Sequence, residues 1–160
     1  MKAILLAAGS GMRLGDLTKE TPKALVDING KTLLERQIIA LQKNNINDII
    51  VVTGPNNDKF DIKDITCIHD SNYLEHDVLG TMMSVIDYMD SDVIVSYTDI
   101  VFDEKILNSI IEFTGDFGIA VDLNWKKKYV NRDQHPKSEA DNVVIDNENI
   151  LKIRKNITKC

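Results

Sequence analysis

Ala3-Ile4-Leu5-Leu6-Ala7 runs without a polar residue straight into Ala8-Gly9-Ser10-Gly11-Met12-Arg13-Leu14. A short apolar run stopped by glycine fits a strand buried on both faces. Such a strand needs helices on each side, which is the layering of an α/β domain. The rest of the chain supplies them. Leu33 to Asn44 places Leu33, Leu34, Ile38 and Leu41 at helical spacing and stops at Asn44-Asn45. Ile49 to Thr53 predicts a second strand, closed by Gly54-Pro55, and Thr66 to His69 a shorter third. A helix is expected over Thr81 to Met89, a strand over Val93 to Tyr97, a helix over Ile106 to Phe113 and a strand over Phe117 to Asp122. Asn142–Ile145 and Ile150–Ile153 flank Asp146-Asn147-Glu148-Asn149 as a hairpin. The expected fold is a three-layer, Rossmann-like α/β domain with a mixed, mostly parallel sheet, the hairpin supplying the mixed edge.

In sheets of this kind ligands sit outside the carboxyl ends of the strands. Two of those ends carry unusual residues, the one after Ala7 and the one after Tyr97. After Ala7, Gly9 and Gly11 let backbone N–H groups approach phosphate oxygens with no Cβ in the way. A tight turn with no ligand would also use two glycines. The loop is not a P-loop, since no Gly-Lys-Ser/Thr follows at the required spacing. Nor is it the dinucleotide fingerprint: Leu14 stands where the third glycine belongs, and Thr53-Gly54 brings no acidic residue for a ribose. Cations give it meaning. Arg13 lies within it, and Thr21-Pro22-Lys23-Ala24-Leu25 follows, with Pro22 stiffening the backbone before Lys23. A guanidinium fork and a compact ammonium suit a phosphate chain. Either cation alone would read as a solvated side chain.

After Tyr97, Asp99 follows Val93-Ile94-Val95-Ser96-Tyr97-Thr98 and places a carboxylate beside the same crevice. Magnesium takes oxygen ligands, often one or two carboxylates plus substrate phosphates. An aspartate here could instead cap the next helix, but Asp103 fits that N-cap role better.

The 160 residues suit one domain, and 43% hydrophobic content suffices for a core. The net charge of -6 argues against a general nucleic-acid binder, which would show a basic stripe. Cys67 and Cys160 lack metal spacing and read as free thiols in a reducing cytoplasm. His69, His76 and His135 lack it too and read as surface or packing residues. No apolar run approaches the roughly 18 residues that span a bilayer, so no membrane association is expected.

Leu6-Ala7-Ala8-Gly9-Ser10-Gly11-Met12-Arg13-Leu14, then Thr18, then Thr21-Pro22-Lys23-Ala24-Leu25, resembles the signature of the sugar-phosphate and choline-phosphate nucleotidyltransferase superfamily. Asp16 departs from it, standing where many members have proline. Leu79-Gly80-Thr81 resembles the segment that lines the nucleobase pocket. Ser96-Tyr97-Thr98-Asp99-Ile100 resembles the strand end that supplies a magnesium-binding aspartate, with Thr98 where many relatives have glycine. Asp122-Leu123-Asn124-Trp125, Tyr129, Arg132 and Glu139-Ala140-Asp141 resemble a narrower branch, the cytidylyltransferases of phosphonate, phosphocholine and capsule head-group pathways.

The resemblance implies an enzyme that joins a nucleoside triphosphate, CTP favoured, to a small phosphorylated or phosphonate acceptor. It implies Arg13 and Lys23 as catalytic cations and Mg2+ on Asp99. Nucleotide-binding positions would be Leu6, Ala8, Gly9, Ser10, Gly11, Met12, Arg13, Lys23, Leu79, Gly80, Thr81 and Asp99. Lys128 and Arg132 would bind the acceptor, although the run Lys126-Lys127-Lys128 reads equally as a solvated loop. A sugar-1-phosphate nucleotidyltransferase using UTP, GTP or dTTP and a non-catalytic nucleotide-binding module are the alternatives. A dinucleotide-dependent oxidoreductase is weakened by the failed fingerprint. Family members add a second metal-binding carboxylate from a later segment, and nothing after Asp99 matches it. The expectation is one nucleotidyltransferase domain over 1–160 that lacks its C-terminal acceptor-binding part and binds nucleotide better than it turns it over. Exposed apolar edges would then favour self-association.

Overall fold

In the computed structural model, which describes residues 1–9, 11–130 and 137–155, the apolar run becomes β1 (Lys2–Ala7). The chain divides into two units, Met1–Thr114 and Gly115–Cys160.

In the first unit β1 leads through two 3-10 turns, Met12–Thr18 and Lys23–Leu25, into α1 (Leu33–Lys43). Thr32 starts that helix with a capping box. Its hydroxyl accepts from the Glu35 N–H at 3.1 Å, and the Glu35 carboxylate accepts from the Thr32 N–H at 2.7 Å. Caps of this kind contribute about 1 kcal/mol. β2 (Ile49–Thr53) and β3 (Thr66–His69) follow, then α2 (Val78–Met83), β4 (Val93–Tyr97) and α3 (Glu104–Ile111). Asp103 caps α3, accepting from the Ile106 N–H at 3.0 Å, which leaves Asp99 out of that role as expected.

The four strands are parallel in the order β3-β2-β1-β4. Leu6 is level with Val52 on one side and Tyr97 on the other. Period-two alternation sends Ala3, Leu5 and Ala7, with Ile49 and Val51, to one face, where Leu34, Ile38 and Leu41 of α1 and Leu107 of α3 cover them. Ile4, Ile50 and Val52 face the other way against Val85, with Leu6 and Met89 beside them. These are the three layers that the sequence predicts.

The second unit holds α4 (Trp125–Lys128) and an antiparallel hairpin, β5 (Asp141–Asp146) and β6 (Asn149–Lys155). Three expectations change in detail. The hairpin forms its own two-stranded sheet, so the four-stranded sheet is parallel throughout. Residues 117–122 form no strand. Their alternation is strand-like, but a strand also needs a ladder partner and a cover for its apolar face, and Phe117 is 82% exposed. The helix expected over 81–89 begins earlier, because Asp77 caps it through the Gly80 N–H at 2.8 Å. It breaks at Val85 (φ -118°, ψ 25°) before a 3-10 turn over Ile86–Tyr88.

Candidate active site

The order β3-β2-β1-β4 makes the junction of β1 and β4 a topological switch point, the place where α/β sheets open a crevice at the strand carboxyl ends. The glycine loop leaves β1 there and Asp99 leaves β4, so the two sequence signals converge on one crevice.

The loop is built around its glycines in three different ways. Gly11 is left-handed (φ 66°), and a Cβ on it would stand 3.2 Å from Thr18 Cβ. Thr18, buried, donates its hydroxyl to the Gly11 carbonyl at 2.7 Å and so closes the loop. Gly54, just past β2, is tighter: a Cβ there would meet the Ala8 carbonyl oxygen at 2.4 Å. Backbone touches backbone where the loop begins. Gly9 differs from both, since among the described residues, its chain neighbours aside, no atom lies within 4 Å of where its Cβ would stand. Packing against the described residues does not demand glycine at that position; close approach by a ligand would. Ala8 is buried and Leu6 half-buried. Ser10 lies outside the described residues, as do the side chains of Met12 and Arg13; the Arg13 backbone sits in the 12–18 turn.

Lys23 and Asp99 meet directly, with Nζ 2.6 Å from Oδ2. Lys23 rides on a 3-10 turn that Pro22 opens and that buried Ala24 anchors in the core. Thr98 fixes the Asp99 turn to β1, its hydroxyl donating to the Leu6 carbonyl at 3.0 Å. The pair stays accessible, with side chains 35% and 41% exposed.

Leu79, Gly80 and Thr81 lie in the first turns of α2. Leu79 is 59% exposed, while Thr81 is buried. The segment is braced by Asp70, buried at the end of β3, which accepts from the Asn72 N–H at 3.0 Å and pairs with His76 Nδ1 at 2.9 Å. Burial pushes the Asp70 carboxyl upward, but the hydrogen bonds from His76, the Asn72 N–H and Thr81 hold it below the ordinary carboxylate range. The His76 ring in turn packs on Gly80, where a Cβ would meet His76 Cβ at 3.0 Å.

In the second unit Lys128 is already paired with Asp122 at 2.7 Å, and Arg132 lies outside the described residues. Trp125 packs edge-on against Tyr129 at 5.3 Å. Cys67 is a free, exposed thiol; Cys160 and His135 lie outside the described residues. Among the described residues no three His, Cys, Asp or Glu side chains gather as a metal cluster, and no helix is long and apolar enough to cross a membrane.

Three contributors escape a reading of the sequence alone. Gly54 reads there as a plain strand stop, and the Asp70–His76 brace needs a fold to bring it together. Gln37 left a signal, a polar residue inside the apolar stripe of α1.

The sequence pattern of the MobA-like NTP transferase domain matches residues 3–129. The chain is similar to the CTP:phosphoglutamine cytidylyltransferase of Campylobacter jejuni subsp. jejuni, 33% identical over 97% of this chain and 66% of that protein. It is similar to the solved CTP:phosphocholine cytidylyltransferase of Streptococcus pneumoniae, with 36% identity and a TM-score of 0.58 over 61% of this chain and 44% of that one. The inositol-1-phosphate CTP transferase of T. maritima shares the fold, with a TM-score of 0.73 and 21% identity over 99% of this chain and 65% of that one. The chain thus spans from under half to just under two thirds of the length of these three relatives. With the motif loop, the parallel sheet and the matched span in agreement, the chain belongs to the MobA-like NTP transferase domain family.

Proposed function

We propose that the chain acts as a nucleotidyltransferase that joins CTP to a small phosphorylated or phosphonate acceptor. An acceptor oxygen attacks the α-phosphorus, a new P–O bond forms, and the bond to the departing pyrophosphate breaks. The observation that carries this reading is the meeting of Lys23 and Asp99 at the switch point, beside a glycine loop in which Gly9 faces open space among the described residues.

No protein nucleophile is needed, because transfer of this kind depends on alignment and charge stabilisation. Gly9 and Gly11 admit the phosphate chain to backbone N–H groups, and Arg13 holds the outgoing pyrophosphate. Lys23 stabilises charge at the α-phosphate. Asp99, an accessible hard oxygen donor, would hold magnesium, which would supply positive charge against the triphosphate. An exposed ion pair is worth only about 0–1 kcal/mol, so Lys23 and Asp99 part readily toward phosphate and metal. The segment Leu79-Gly80-Thr81 lies against the base. We place the chain in the cytoplasm, a setting in which an exposed thiol such as Cys67 stays reduced.

Two of the similar proteins are cytidylyltransferases by name, which favours CTP. Calorimetric titration of the chain with CTP, UTP, GTP and ATP in magnesium should show the tightest binding for CTP. A clear preference for UTP or GTP would move the reading to a sugar-1-phosphate nucleotidyltransferase.

A further inference from the structure

α1 carries one polar side chain deep in its apolar face. Gln37 is 2% exposed, on the same helix side as Leu34, Ile38 and Leu41. Its side-chain nitrogen uses both hydrogens, donating to the Tyr97 carbonyl at 2.8 Å and the Ile100 carbonyl at 2.6 Å. Those two carbonyls bracket Thr98-Asp99. The opposite orientation would set Oε1 against two carbonyl oxygens, so the partners dictate which way the amide points.

The arrangement is not one that core packing would choose. Gln37 Oε1 is buried without a hydrogen-bond partner among the described residues, as is Arg36 Nε, and both residues line a cavity of about 30 Å³ with Val101 and Phe102. An apolar side chain of similar size would remove the orphan Oε1, but with it the donors to the Tyr97 and Ile100 carbonyls. What glutamine adds is a two-point grip on the turn that carries Asp99. Thr98 holds the same turn from the β1 side, so the carboxylate is set between a helix and a strand.

We propose that Gln37 is a positioning residue for Asp99, holding the turn so that the carboxylate stays in reach of Lys23 and of nucleotide-bound magnesium. This rests on the assignment of Asp99 to that metal. Groups that orient metal ligands typically change metal affinity by roughly 10–100-fold when removed.

The test titrates CTP, with and without magnesium, into the parent chain, Gln37→Met and Asp99→Asn. The readout is the gain in CTP affinity that magnesium brings. Asp99→Asn should abolish the gain. Gln37→Met should cut it by roughly tenfold, the lower end for an outer group, and leave metal-free affinity unchanged. An unaltered gain in Gln37→Met, alongside its loss in Asp99→Asn, overturns the positioning role and leaves the Asp99 assignment standing. Equal losses with and without metal in Gln37→Met also overturn it, because they mark general loosening. A gain that survives in Asp99→Asn, or is missing in the parent, refutes the assignment and the proposal with it. A second measurement needs no variant to fold. In the parent chain the Gln37 side-chain amide hydrogens should exchange with solvent on the order of tenfold or more slowly than those of exposed Gln42. Equal exchange rates would refute the two-point grip.

Discussion

Lys23→Ala is expected to slow nucleotidyl transfer by roughly 10²–10³ while weakening nucleotide binding far less. The asymmetry follows from where charge builds up. In the proposed mechanism, backbone donors of the loop hold the ground-state triphosphate, and the ammonium is aimed at an α-phosphate whose oxygens gain negative charge only as the bond to pyrophosphate breaks. Stability should hardly change, since the Lys23–Asp99 pair is exposed enough for solvent to screen it. Loss of rate with a normal melting curve is therefore the predicted signature. Lys23→Arg should restore only part of the rate, because a planar fork does not replace a compact point charge. Measuring the rate and the dissociation constant on the same variant checks the claim, and near-parental turnover in Lys23→Ala would remove this residue from the chemistry.

The second large effect separates two glycines that look alike in the sequence. Gly54→Ala should destabilise the fold by about 1–3 kcal/mol or more, since its Cβ would lie 2.4 Å from the Ala8 carbonyl oxygen. The clash is with backbone, so no rotamer change relieves it, and the strand ends of β1 and β2 must separate. Against a typical total of roughly 5–15 kcal/mol that is a substantial fraction. Gly9→Ala should behave in the opposite way. Its added methyl meets no atom of the described residues beyond its chain neighbours, so the melting temperature should stay near the parent's while CTP affinity falls. Denaturant unfolding and calorimetry on the two variants check the pair. A stable Gly54→Ala would contradict the close approach, and unchanged CTP binding in Gly9→Ala would take that residue out of the phosphate loop.

These glycines also show what the sequence could and could not reveal. Ile49–Thr53, Thr66–His69 and Val93–Tyr97 are legible because β-branched runs end in glycine or polar residues, and the strands observed have those same ends. The segment 117–122 misleads because alternation records which face is apolar and not whether a neighbouring strand pairs with it. Asp99 and the glycine loop are legible because a strand's carboxyl end has a known place in an α/β sheet. The direct contact of Lys23 with Asp99 is not, since it joins positions 76 residues apart. The need for glycine at 54 is set by the Ala8 backbone, and the use of Gln37 by the carbonyls of Tyr97, at the end of β4, and Ile100. Both are tertiary facts that local pattern does not record.

That Lys23, Asp99 and the glycine loop form a site for nucleotidyl transfer is tested most directly by a single-turnover reaction. The chain, in excess over CTP labelled at the α-phosphate, is mixed with magnesium and small phosphate or phosphonate acceptors. The label should pass to a cytidine-linked acceptor, with one pyrophosphate released for each bond formed, and Lys23→Ala should slow the transfer. CTP that binds yet yields neither linked product nor pyrophosphate with any acceptor would contradict the claim and leave a nucleotide-binding module in its place.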